Sequence, residues 1–331
     1  MTAPITASAG GPFARLLSIA SFVPSRVVDN AEMCTWIDSS DEWIQQRTGI
    51  AERRWVGEGE DVESMALSAA RTAIERSGVP AAEIGAVIVA TVTYFHQTPS
   101  LAAKLAHRLG TNGAAYDISA ACAGFCYGLA QAEALVRSGG ARYALVIGVE
   151  ELSRFTDIHD RSTAFLFADG AGAAVVGPSE TNGIGPVVWG SDGGQADVIG
   201  QTTEWNEALS SGERPYLAMD GRPVFKWATG FITEATKSVL DAAGLAPEDL
   251  DVFIPHQANN RITDTMLRHL KLPEHVVVAR TIKQFGNNSA ASVPMAMDAL
   301  LSSGEAKSGQ TALLIGFGAG LVYAGQVVTL P

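Results

Sequence analysis

The sequence predicts an α/β fold made of two similar halves. Apolar runs with the length of buried strands alternate with helical patterns along the chain, which is typical of βαβ units around parallel-type sheets. Three motifs also recur in the same order at offsets of 165 to 168 residues: the apolar run 86–90 at 252–255, the segment 144–148 at 312–316, and the dipeptide 138–139 at 303–304. We therefore expect an N-terminal half over residues 13–180 and a C-terminal half over residues 181–331.

Local patterns predict the individual elements. Residues 86–90 and 252–255 read as strands, and an apolar approach from Tyr116 runs into Cys122. An alanine- and leucine-rich stretch with helical character then continues to about Ser138. Gly316-x-Gly318-x-Gly320 has the spacing of a dinucleotide-binding loop, but the residues after it read as strand, whereas phosphate binding needs a helix N-terminus there. We expect the irregular region 193–222 to form a flap over a pocket, and the alternative is a long surface loop.

Composition excludes several classes of function. Apolar residues make up 47% of the 331-residue chain, which is enough for a large core, and the formal net charge of −12 argues against nucleic acid as a partner. No apolar run reaches the ~18–20 residues of a membrane span, and residues 1–12 contain no basic region before an apolar stretch. We therefore expect neither a membrane anchor nor a signal peptide. The three cysteines show no metal-ligand or disulfide spacing, which favours a cytoplasmic protein without a metal.

Cys122 is the strongest candidate for a catalytic nucleophile. A thiol at a strand-to-helix turn lies at the positive end of the helix dipole, which favours the thiolate. Its neighbours in the sequence are alanine and glycine, and they leave room for a substrate. The competing interpretation is a buried structural cysteine. Cys126 follows one helical turn later, and for it we favour an inward-facing core thiol over a redox pair with Cys122.

The repeat connects Cys122 with two further polar residues. Applying the repeat spacing to Cys122 leads to Asn287, and applying it to Ala90 leads to His256. If the halves pack about a pseudo-twofold axis, these three side chains should meet at corresponding strand ends. Each polar residue also has an ordinary interpretation, because a histidine after a strand can be a satisfied core residue and an asparagine before a helix can be an N-cap.

A cysteine with a histidine and an asparagine supports two kinds of chemistry. One is hydrolysis, as in papain-like proteases, where the histidine is the base and the asparagine orients it. The other is acyl transfer onto carbon, where the cysteine takes an acyl group from a thioester. The histidine and asparagine then donate hydrogen bonds to the oxygen of a malonyl thioester and stabilise the enolate formed when carbon dioxide leaves.

Several longer motifs resemble one enzyme family. Ala121-Cys122-Ala123-Gly124-Phe125, Pro255-His256-Gln257-Ala258-Asn259 and Gly286-Asn287-x-Ser289-Ala290-Ala291-Ser292 are similar to the three active-site motifs of β-ketoacyl-acyl-carrier-protein synthase III. Further motifs at 40–44, 47–50 and 169–172 follow the same family, so the resemblance runs in order from about residue 13 to residue 331. It implies a thiolase-like, five-layered αβαβα fold with internal duplication, and a homodimer.

The same resemblance implies a reaction. The family joins an acyl-CoA starter to malonyl-acyl carrier protein by decarboxylative Claisen condensation, through an acyl-cysteine intermediate and without a cofactor beyond the coenzyme A thioester. Cys122 would be the acylated nucleophile, and His256 and Asn287 would activate the malonyl unit. The backbone N–H groups of Cys122 and Ala319 would form the oxyanion hole.

Residues for binding follow from the resemblance in the same way. Trp43 and Arg161 would enclose the adenine of coenzyme A, and the full set implied for coenzyme A is Ser39, Trp43, Arg47, Arg161, Gly221, Arg222 and Asn259. Phe317 would support the cysteine loop beside the acyl pocket. Thr98 falls where acetyl-restricted members carry a bulky aromatic residue that reaches across the dimer, so we expect a starter larger than acetyl. The carrier protein is acidic, so it needs a local basic patch, for which the candidates are Arg222, Lys226, Arg261 and Arg268.

Three positions depart from the family pattern, and two alternative functions stay open. The usual Gly-Asn-Thr-Ser is Gly286-Asn287-Asn288-Ser289 here, Ala319 replaces a glycine, and Arg222 replaces an asparagine. A starter-specific polyketide priming synthase and an acyltransferase that forms an ester are both compatible with the same fold. A non-catalytic partner subunit is disfavoured, because such subunits lack the nucleophile. A biosynthetic thiolase is disfavoured because no cysteine follows Cys126.

Overall fold

A computed structural model describes residues 8–331 of the chain. Residues 1–7 lie outside this part. They belong to the segment 1–12, in which we expect no signal peptide. Among the described residues, no helix is both long and apolar enough to cross a bilayer.

The first part of the chain contains a five-stranded mixed sheet and a small antiparallel pair of strands. Its strands are β1 (Phe13–Phe22), β2 (Arg26–Asp29), β3 (Glu52–Trp55), β4 (Ile84–Ala90), β5 (Ala114–Ile118), β6 (Tyr143–Glu151) and β7 (Asp169–Ser179). Its helices are α1 (Asn30–Met33), α2 (Asp41–Thr48), α3 (Val62–Ser77), α4 (Leu101–Leu109) and α5 (Gly124–Ser138). The large sheet has the order β1-β7-β6-β4-β5, and β2 pairs with β3.

The second part repeats this sheet. Its strands are β8 (Val188–Ser191), β9 (Ile199–Gln201), β10 (Leu217–Met219), β11 (Val252–Pro255), β12 (Val277–Val278), β13 (Thr311–Gly318) and β14 (Val322–Thr329). Its helices are α6 (Trp205–Ser211), α7 (Gly221–Thr229), α8 (Phe231–Ala243), α9 (Asn260–Leu270), α10 (Ile282–Phe285) and α11 (Ser292–Ser303). The order β8-β14-β13-β11-β12 corresponds strand for strand to the first sheet, so the predicted duplication is confirmed.

The corresponding strands also share their directions. β4 is parallel to β5 and β6, and β11 is parallel to β12 and β13. β7 and β14 run antiparallel to their neighbours. The sequence of β4, IGAVIVA, is buried along almost its whole length, as expected for a parallel strand that helices cover on both faces.

Helices α5 and α11 lie between the two sheets and form the central layer. One core cluster joins Phe125 and Leu129 of α5, Met297 of α11, Val146 of β6 and Leu314 of β13. Helices α3 and α4 cover the outer face of the first sheet, and α8 and α9 cover the outer face of the second. The result is the five-layered αβαβα arrangement that the family resemblance implies.

The repeated Ser-Gly dipeptide ends both central helices. Gly139 follows α5 with φ 75°, and Gly304 follows α11 with φ 77°. In each case the glycine N–H donates to a carbonyl of the last turn, Val136 in α5 and Leu301 in α11. The motif recurs because the left-handed C-cap conformation favours glycine.

Candidate active site

Cys122 lies in a short 3₁₀ turn, Ala121–Ala123, between β5 and α5. Ala121 holds the turn with a left-handed φ of 42°. The thiol is tightly enclosed from the side of β13, because a Cβ atom at Gly318 would lie 2.8 Å from its Sγ atom. Glycine at this position therefore lets the β13 backbone approach the nucleophile. Ser289, from the second half, lines the same cavity as the thiol.

The ionisation of Cys122 differs from the expectation based on the helix dipole. Burial is the largest influence and raises the pKa of Cys122 to about 12, and the negative charge of Glu150 adds to the rise. The hydrogen bond from Ser289 lowers the pKa only partly. Burial therefore opposes the thiolate that the helix terminus favours. Cys122 rests as a thiol and must lose its proton during the reaction.

His256 follows β11 and is held as a neutral imidazole. Its backbone N–H donates to the Ile315 carbonyl at 2.7 Å, and its Nδ1 lies 2.7 Å from the Ser292 hydroxyl oxygen. Burial lowers the pKa of His256 to about 3. The Gln257 N–H lies 3.4 Å from the same oxygen, so the hydroxyl can accept that proton and donate its own to Nδ1. We therefore assign the proton to Nε2, which faces the cavity as a donor.

Asn287 presents its amide NH₂ group to the same cavity. Its Oδ1 accepts a hydrogen bond from the Ser289 N–H at 3.0 Å, and this contact fixes the amide orientation. The position of Asn287 in the repeat differs from the prediction. The turn Ser289–Ala291 is the counterpart of Ala121–Ala123, so Ala290 corresponds to Cys122 and Asn287 lies three residues earlier. The three side chains nevertheless meet as expected.

A cavity of about 420 Å³ joins the three groups. Cys122, His256 and Asn287 line it together with Phe317 and Ala319. Phe317 packs edge-on against His256 at 5.4 Å between ring centroids, so its ring supports the histidine. Ala319 carries no left-handed strain, because the non-glycine residues with positive φ in the described chain are Ala121, Lys271 and Ser289.

The region 193–222 covers this cavity, as the sequence predicts. It is less irregular than expected, because β9 and β10 pair within it and α6 lies between them. Ile199, Gln201, Leu217 and Met219 from these two strands line the cavity. The region therefore acts as a cover that supplies apolar walls.

A second cavity of about 770 Å³ leads from the site to the surface. Both cavities are lined by Met219, Val224, Ala258, Ile262 and Asn287, so they are adjoining parts of one passage. Five residues that the resemblance implies for coenzyme A line the outer part: Trp43, Arg47, Gly221, Arg222 and Asn259. Asn259 also caps α9, because its side chain accepts from the Arg261 N–H.

Arginines flank the Trp43 ring at the passage entrance. The Arg161 guanidinium lies 5.4 Å from the Trp43 ring centroid, and that of Arg47 lies at 5.6 Å. Arg261 lines the same cavity and stacks on Phe225 at 5.2 Å. These contacts place cationic groups where a nucleotide phosphate would enter.

Five predicted residues do not line either cavity in the described chain: Ser39, Thr98, Arg161, Lys226 and Arg268. The Ser39 hydroxyl is buried without a hydrogen-bond partner among the described residues. Thr98 is exposed, as it should be if its site lies across a dimer interface. Lys226 and Arg268 are exposed on α7 and α9, which pack against each other beside the entrance.

Sequence reasoning missed several groups that support the site. Ser292 and Ser289 were quoted only as parts of a motif, although Ser292 contacts His256 and Ser289 lines the cavity beside Cys122. Glu150 at the end of β6 is fully buried behind the nucleophile. Arg53 is also fully buried, and it donates to Asn30 and to the Phe165 carbonyl beside the site. The one signal in the sequence was a charged residue at the end of an apolar run, and Glu150 in the segment 143–151 shows this pattern.

Comparisons with known proteins agree on one family. Residues 116–193 match the family model of 3-oxoacyl-[acyl-carrier-protein (ACP)] synthase III, and residues 240–330 match the model of its C-terminal part. The chain is 55% identical over 325 residues to the β-ketoacyl-[acyl-carrier-protein] synthase III of Streptomyces glaucescens, with 97% of this chain and 98% of the relative covered. The chain belongs to the β-ketoacyl-acyl-carrier-protein synthase III family.

Solved structures of synthase III type share the fold. The priming β-ketosynthase from the R1128 polyketide biosynthetic pathway matches with a TM-score of 0.96 and 47% identity, covering 99% of both chains. The 3-oxoacyl-[acyl-carrier-protein] synthase III of Aquifex aeolicus VF5 matches with a TM-score of 0.88 and 36% identity, covering 96% of this chain and 99% of that one. The thiolase-like architecture is therefore shown.

The structure accounts for one departure from the synthase III pattern. Asn288 stands where the family commonly has threonine, and it is buried away from the cavity. Its Nδ2 donates to the Asp169 carbonyl at 2.7 Å and to the Phe285 carbonyl at 3.2 Å. The residue therefore ties the catalytic loop to β7, and the neighbouring Asn287 keeps its orientation.

Proposed function

We propose that this chain condenses an acyl-CoA starter with a malonyl-acyl carrier protein, giving a 3-oxoacyl-acyl carrier protein, coenzyme A and carbon dioxide. One observation carries the proposal: a thiol, a neutral imidazole N–H and an amide NH₂ face a single enclosed cavity. A protease-like use of the same residues needs the asparagine to orient the histidine. Here Ser292 contacts Nδ1 of His256, and Asn287 is held by Ser289 instead.

Acyl transfer to Cys122 is the first step. The Sγ atom attacks the thioester carbonyl carbon, and the C–S bond to coenzyme A breaks. The backbone N–H groups of Cys122 and Ala319 support the oxyanion that forms, because both residues border the cavity at the nucleophile. Coenzyme A leaves as a product of the reaction, so its thioester is a substrate and no resident cofactor takes part.

Decarboxylation of the malonyl unit is the second step. The His256 Nε2–H and the Asn287 Nδ2–H donate to the thioester oxygen, on which negative charge grows as carbon dioxide leaves. A neutral histidine with a pKa of about 3 suits this role, because it remains a donor without acting as an acid at neutral pH. The resulting enolate carbon attacks the acyl group on Cys122 and releases the cysteine sulfur.

The outer passage is the proposed route for coenzyme A and for the carrier's pantetheine arm. An adenine stacked between Trp43 and Arg161 would need a separation of ~7–8 Å, which is two van der Waals layers of ~3.5–4 Å. The Arg161 guanidinium carbon lies only 5.4 Å from the centroid of the Trp43 ring. Arg161 must therefore move away from the ring when coenzyme A binds. Arg222, Lys226, Arg261 and Arg268 form the proposed docking patch for an acidic carrier.

We also propose that the protein is a cytoplasmic homodimer. Within each chain, the two similar halves divide near residue 180, between β7 and β8. β5 is an edge strand of the first sheet in the described chain, so its outer backbone edge is open to a second copy. The exposed Thr98 lies in the segment between β4 and α4, on the side of this edge. The free cysteines Cys34, Cys122 and Cys126 suit a reducing compartment.

The starter is proposed to be larger than acetyl. Beyond Cys122 the cavity wall is apolar, with Val92, Leu152, Phe155 and Leu217. Thr98 offers no aromatic ring to a partner's pocket. A starter-specific priming role in polyketide synthesis is the second candidate, and the likeness to the R1128 priming ketosynthase favours it. An ester-forming acyltransferase would use the same acyl-cysteine but another acceptor.

Acyl-CoA selectivity tests this proposal. We expect isobutyryl- and hexanoyl-CoA to give a higher kcat/KM than acetyl-CoA with malonyl-acyl carrier protein as acceptor, since each accommodated methylene contributes ~1–3 kcal/mol. Thr98→Phe should reverse this order, while the neighbouring exposed Gln97→Phe should not. A wild-type preference for acetyl that neither substitution alters would contradict the starter assignment.

A further inference from the structure

Glu150 is a fully buried carboxyl group that the two-step reaction leaves without a role. Its Oε2 accepts hydrogen bonds from the Thr93 hydroxyl at 2.7 Å, the Val92 N–H at 3.1 Å and the Thr91 hydroxyl at 3.3 Å. Its Oε1 has no hydrogen-bond partner within residues 8–331, although it is out of contact with solvent. Burying half of a carboxyl group unpaired costs ~1–3 kcal/mol or more, so this oxygen calls for a functional explanation.

The strand geometry places Glu150 behind the nucleophile. Ala144 and Val146 of β6 point into the central layer, whereas Leu145, Ile147 and Val149 point to the outer face. The two-residue period of a strand puts Glu150 on the central face and Glu151 on the opposite one. The turn Ser289–Ala291 packs against β6, and it also packs against the turn that bears Cys122.

Ser289 lies between the carboxyl group and the thiol. Proximity to its hydroxyl lowers the pKa of Cys122 and the pKa of Glu150, but among the described residues the resting geometry gives Oε1 no hydrogen bond, so the hydroxyl must turn toward Oε1 for a proton to pass. Ser289 lines the catalytic cavity, and Glu150 lies directly behind the wall that Thr91, Val92 and Ser289 form. Burial meanwhile raises the pKa of Glu150 to about 7, so the carboxyl can gain and lose a proton near neutral pH.

The other titratable groups near β6 have different partners. Cys122 is the one that interacts with Glu150 by charge. The remaining groups on elements packed against β6 have other partners. Three are ion pairs: Glu151 lies 4.0 Å from Arg154, Glu63 pairs with Arg108, and Arg76 pairs with Asp298. Cys126 lies against Gly316, Tyr127 donates to the Gly190 carbonyl, Asp169 accepts from Ser153, and Arg71 and Glu75 are exposed.

We propose that Glu150, acting through the Ser289 hydroxyl, takes the Cys122 thiol proton during acylation and holds it until condensation. The proposal rests on the condensation reaction proposed above. As Sγ attacks the thioester carbon, its proton moves to the Ser289 oxygen, and the Ser289 proton moves to Oε1 of Glu150. The C–S bond of the acyl-CoA breaks with its electron pair on sulfur, and the coenzyme A thiolate takes a proton from water in the open passage.

The second half-reaction returns the proton. When the enolate attacks the acyl group, the C–S bond to Cys122 breaks and leaves a thiolate. Glu150 then returns its proton through Ser289, which restores the thiol and the carboxylate. The overall reaction consumes one proton from water, as decarboxylative condensation requires. Holding Glu150 neutral in the acyl-enzyme also removes a negative charge from the site where the enolate forms.

Two substitutions test the relay. Glu150→Gln keeps the shape and lets an amide oxygen accept from Thr93, Val92 and Thr91. Ser289→Ala removes only the connecting hydroxyl, and alanine tolerates the left-handed turn, because Ala121 has φ 42° at the corresponding position where Ser289 has φ 46°. Glu151→Gln is the matched control, since it lies on the opposite face of the same strand.

The measurement is the single-turnover rate of acylation by an acyl-CoA at several pH values, followed by intact-protein mass. We expect the wild-type rate to rise with pH through about 7, as Glu150 loses its proton and can accept another. Both Glu150→Gln and Ser289→Ala should lose this rise and acylate about 10²-fold more slowly. Glu151→Gln should match the wild type. Acylation by either test variant at the wild-type rate with the wild-type pH rise would overturn the relay.

Alkylation of Cys122 by iodoacetamide separates this proposal from the proposed function. The reagent is no substrate, so the same pH rise and the same losses are expected even if acyl-CoA proves not to be the starter. If Glu150 were only a negative neighbour, its removal would lower the pKa of Cys122 and speed alkylation, which is the opposite result. A failure of the wild type to acylate would contradict the condensing function and leave the alkylation result to decide on Glu150.

Discussion

Ser292→Ala should impair decarboxylation while leaving acyl transfer intact. The Ser292 hydroxyl lies 2.7 Å from Nδ1 of the buried His256 and is itself buried. Removing it leaves a buried ring nitrogen unpaired and lets the proton sit on either nitrogen, so the Nε2 donor is no longer assured. Losing a buried hydrogen-bond partner costs about 1–3 kcal/mol, which corresponds to a roughly 5- to 150-fold slower step.

The assay is carbon dioxide release from a malonyl thioester, measured beside acylation of Cys122 by acyl-CoA. The loss in Ser292→Ala should not exceed that in His256→Ala, for which a missing oxyanion-type donor predicts ~10²–10³-fold. Because Ser292 acts through His256, the double variant should be no slower than His256→Ala alone. Equal losses in acylation and decarboxylation, or additive losses in the double variant, would refute the reasoning.

Three further predictions concern the nucleophile, the docking patch and pH. Gly318→Ala should block acylation, since its Cβ would lie 2.8 Å from Sγ of Cys122, whereas Gly193→Ala, with nothing within 4 Å, should be neutral. Arg261→Glu should raise KM for the carrier protein roughly fivefold, which is more than Arg268→Glu raises it and more than Arg261→Glu raises KM for acyl-CoA. The increase should become smaller at high salt, and a carrier KM that does not change with salt would contradict this prediction. Because burial holds the pKa of His256 at about 3, malonyl decarboxylation by the double variant Cys122→Ala/Glu150→Gln, which lacks the carboxyl group with a pKa of about 7, should stay level between about pH 5 and 8. A change near 6.5 in this variant would show a titrating histidine.

Much of the fold follows from local patterns in the sequence. The buried strands β4 and β11, the helix ending at Ser138 and the strand after Gly320 depend on apolar periodicity and on glycine at helix ends, and all are present. The strand order repeats because the strand and helix patterns follow one another in the same order in both halves. The repeat offset was less reliable as a residue-level guide, since loops of unequal length shift it. For that reason Ala290, and not Asn287, is the counterpart of Cys122.

The electrostatics of the site could not be predicted from the sequence. A helix N-terminus is visible as a local pattern, but burial is a property of the assembled layers. Burial raises the pKa of Cys122 and lowers the pKa of His256. The partners Ser292 and Glu150 come from elements far apart in the chain, and only packing brings them to the three predicted groups. The pair of glutamates that ends the apolar run of β6, Glu150 and Glu151, was the one local sign.

Intact-protein mass after incubation with an acyl-CoA tests the central claim most directly, namely that Cys122 carries the acyl group while His256 and Asn287 serve the later step. The account predicts a mass increase equal to one acyl group in the wild type, Cys126→Ala, His256→Ala and Asn287→Ala. Cys122→Ala should show none, and His256→Ala and Asn287→Ala should then condense poorly with malonyl-acyl carrier protein. An acyl group that persists in Cys122→Ala, or equal losses in Cys122→Ala and Cys126→Ala, would contradict it.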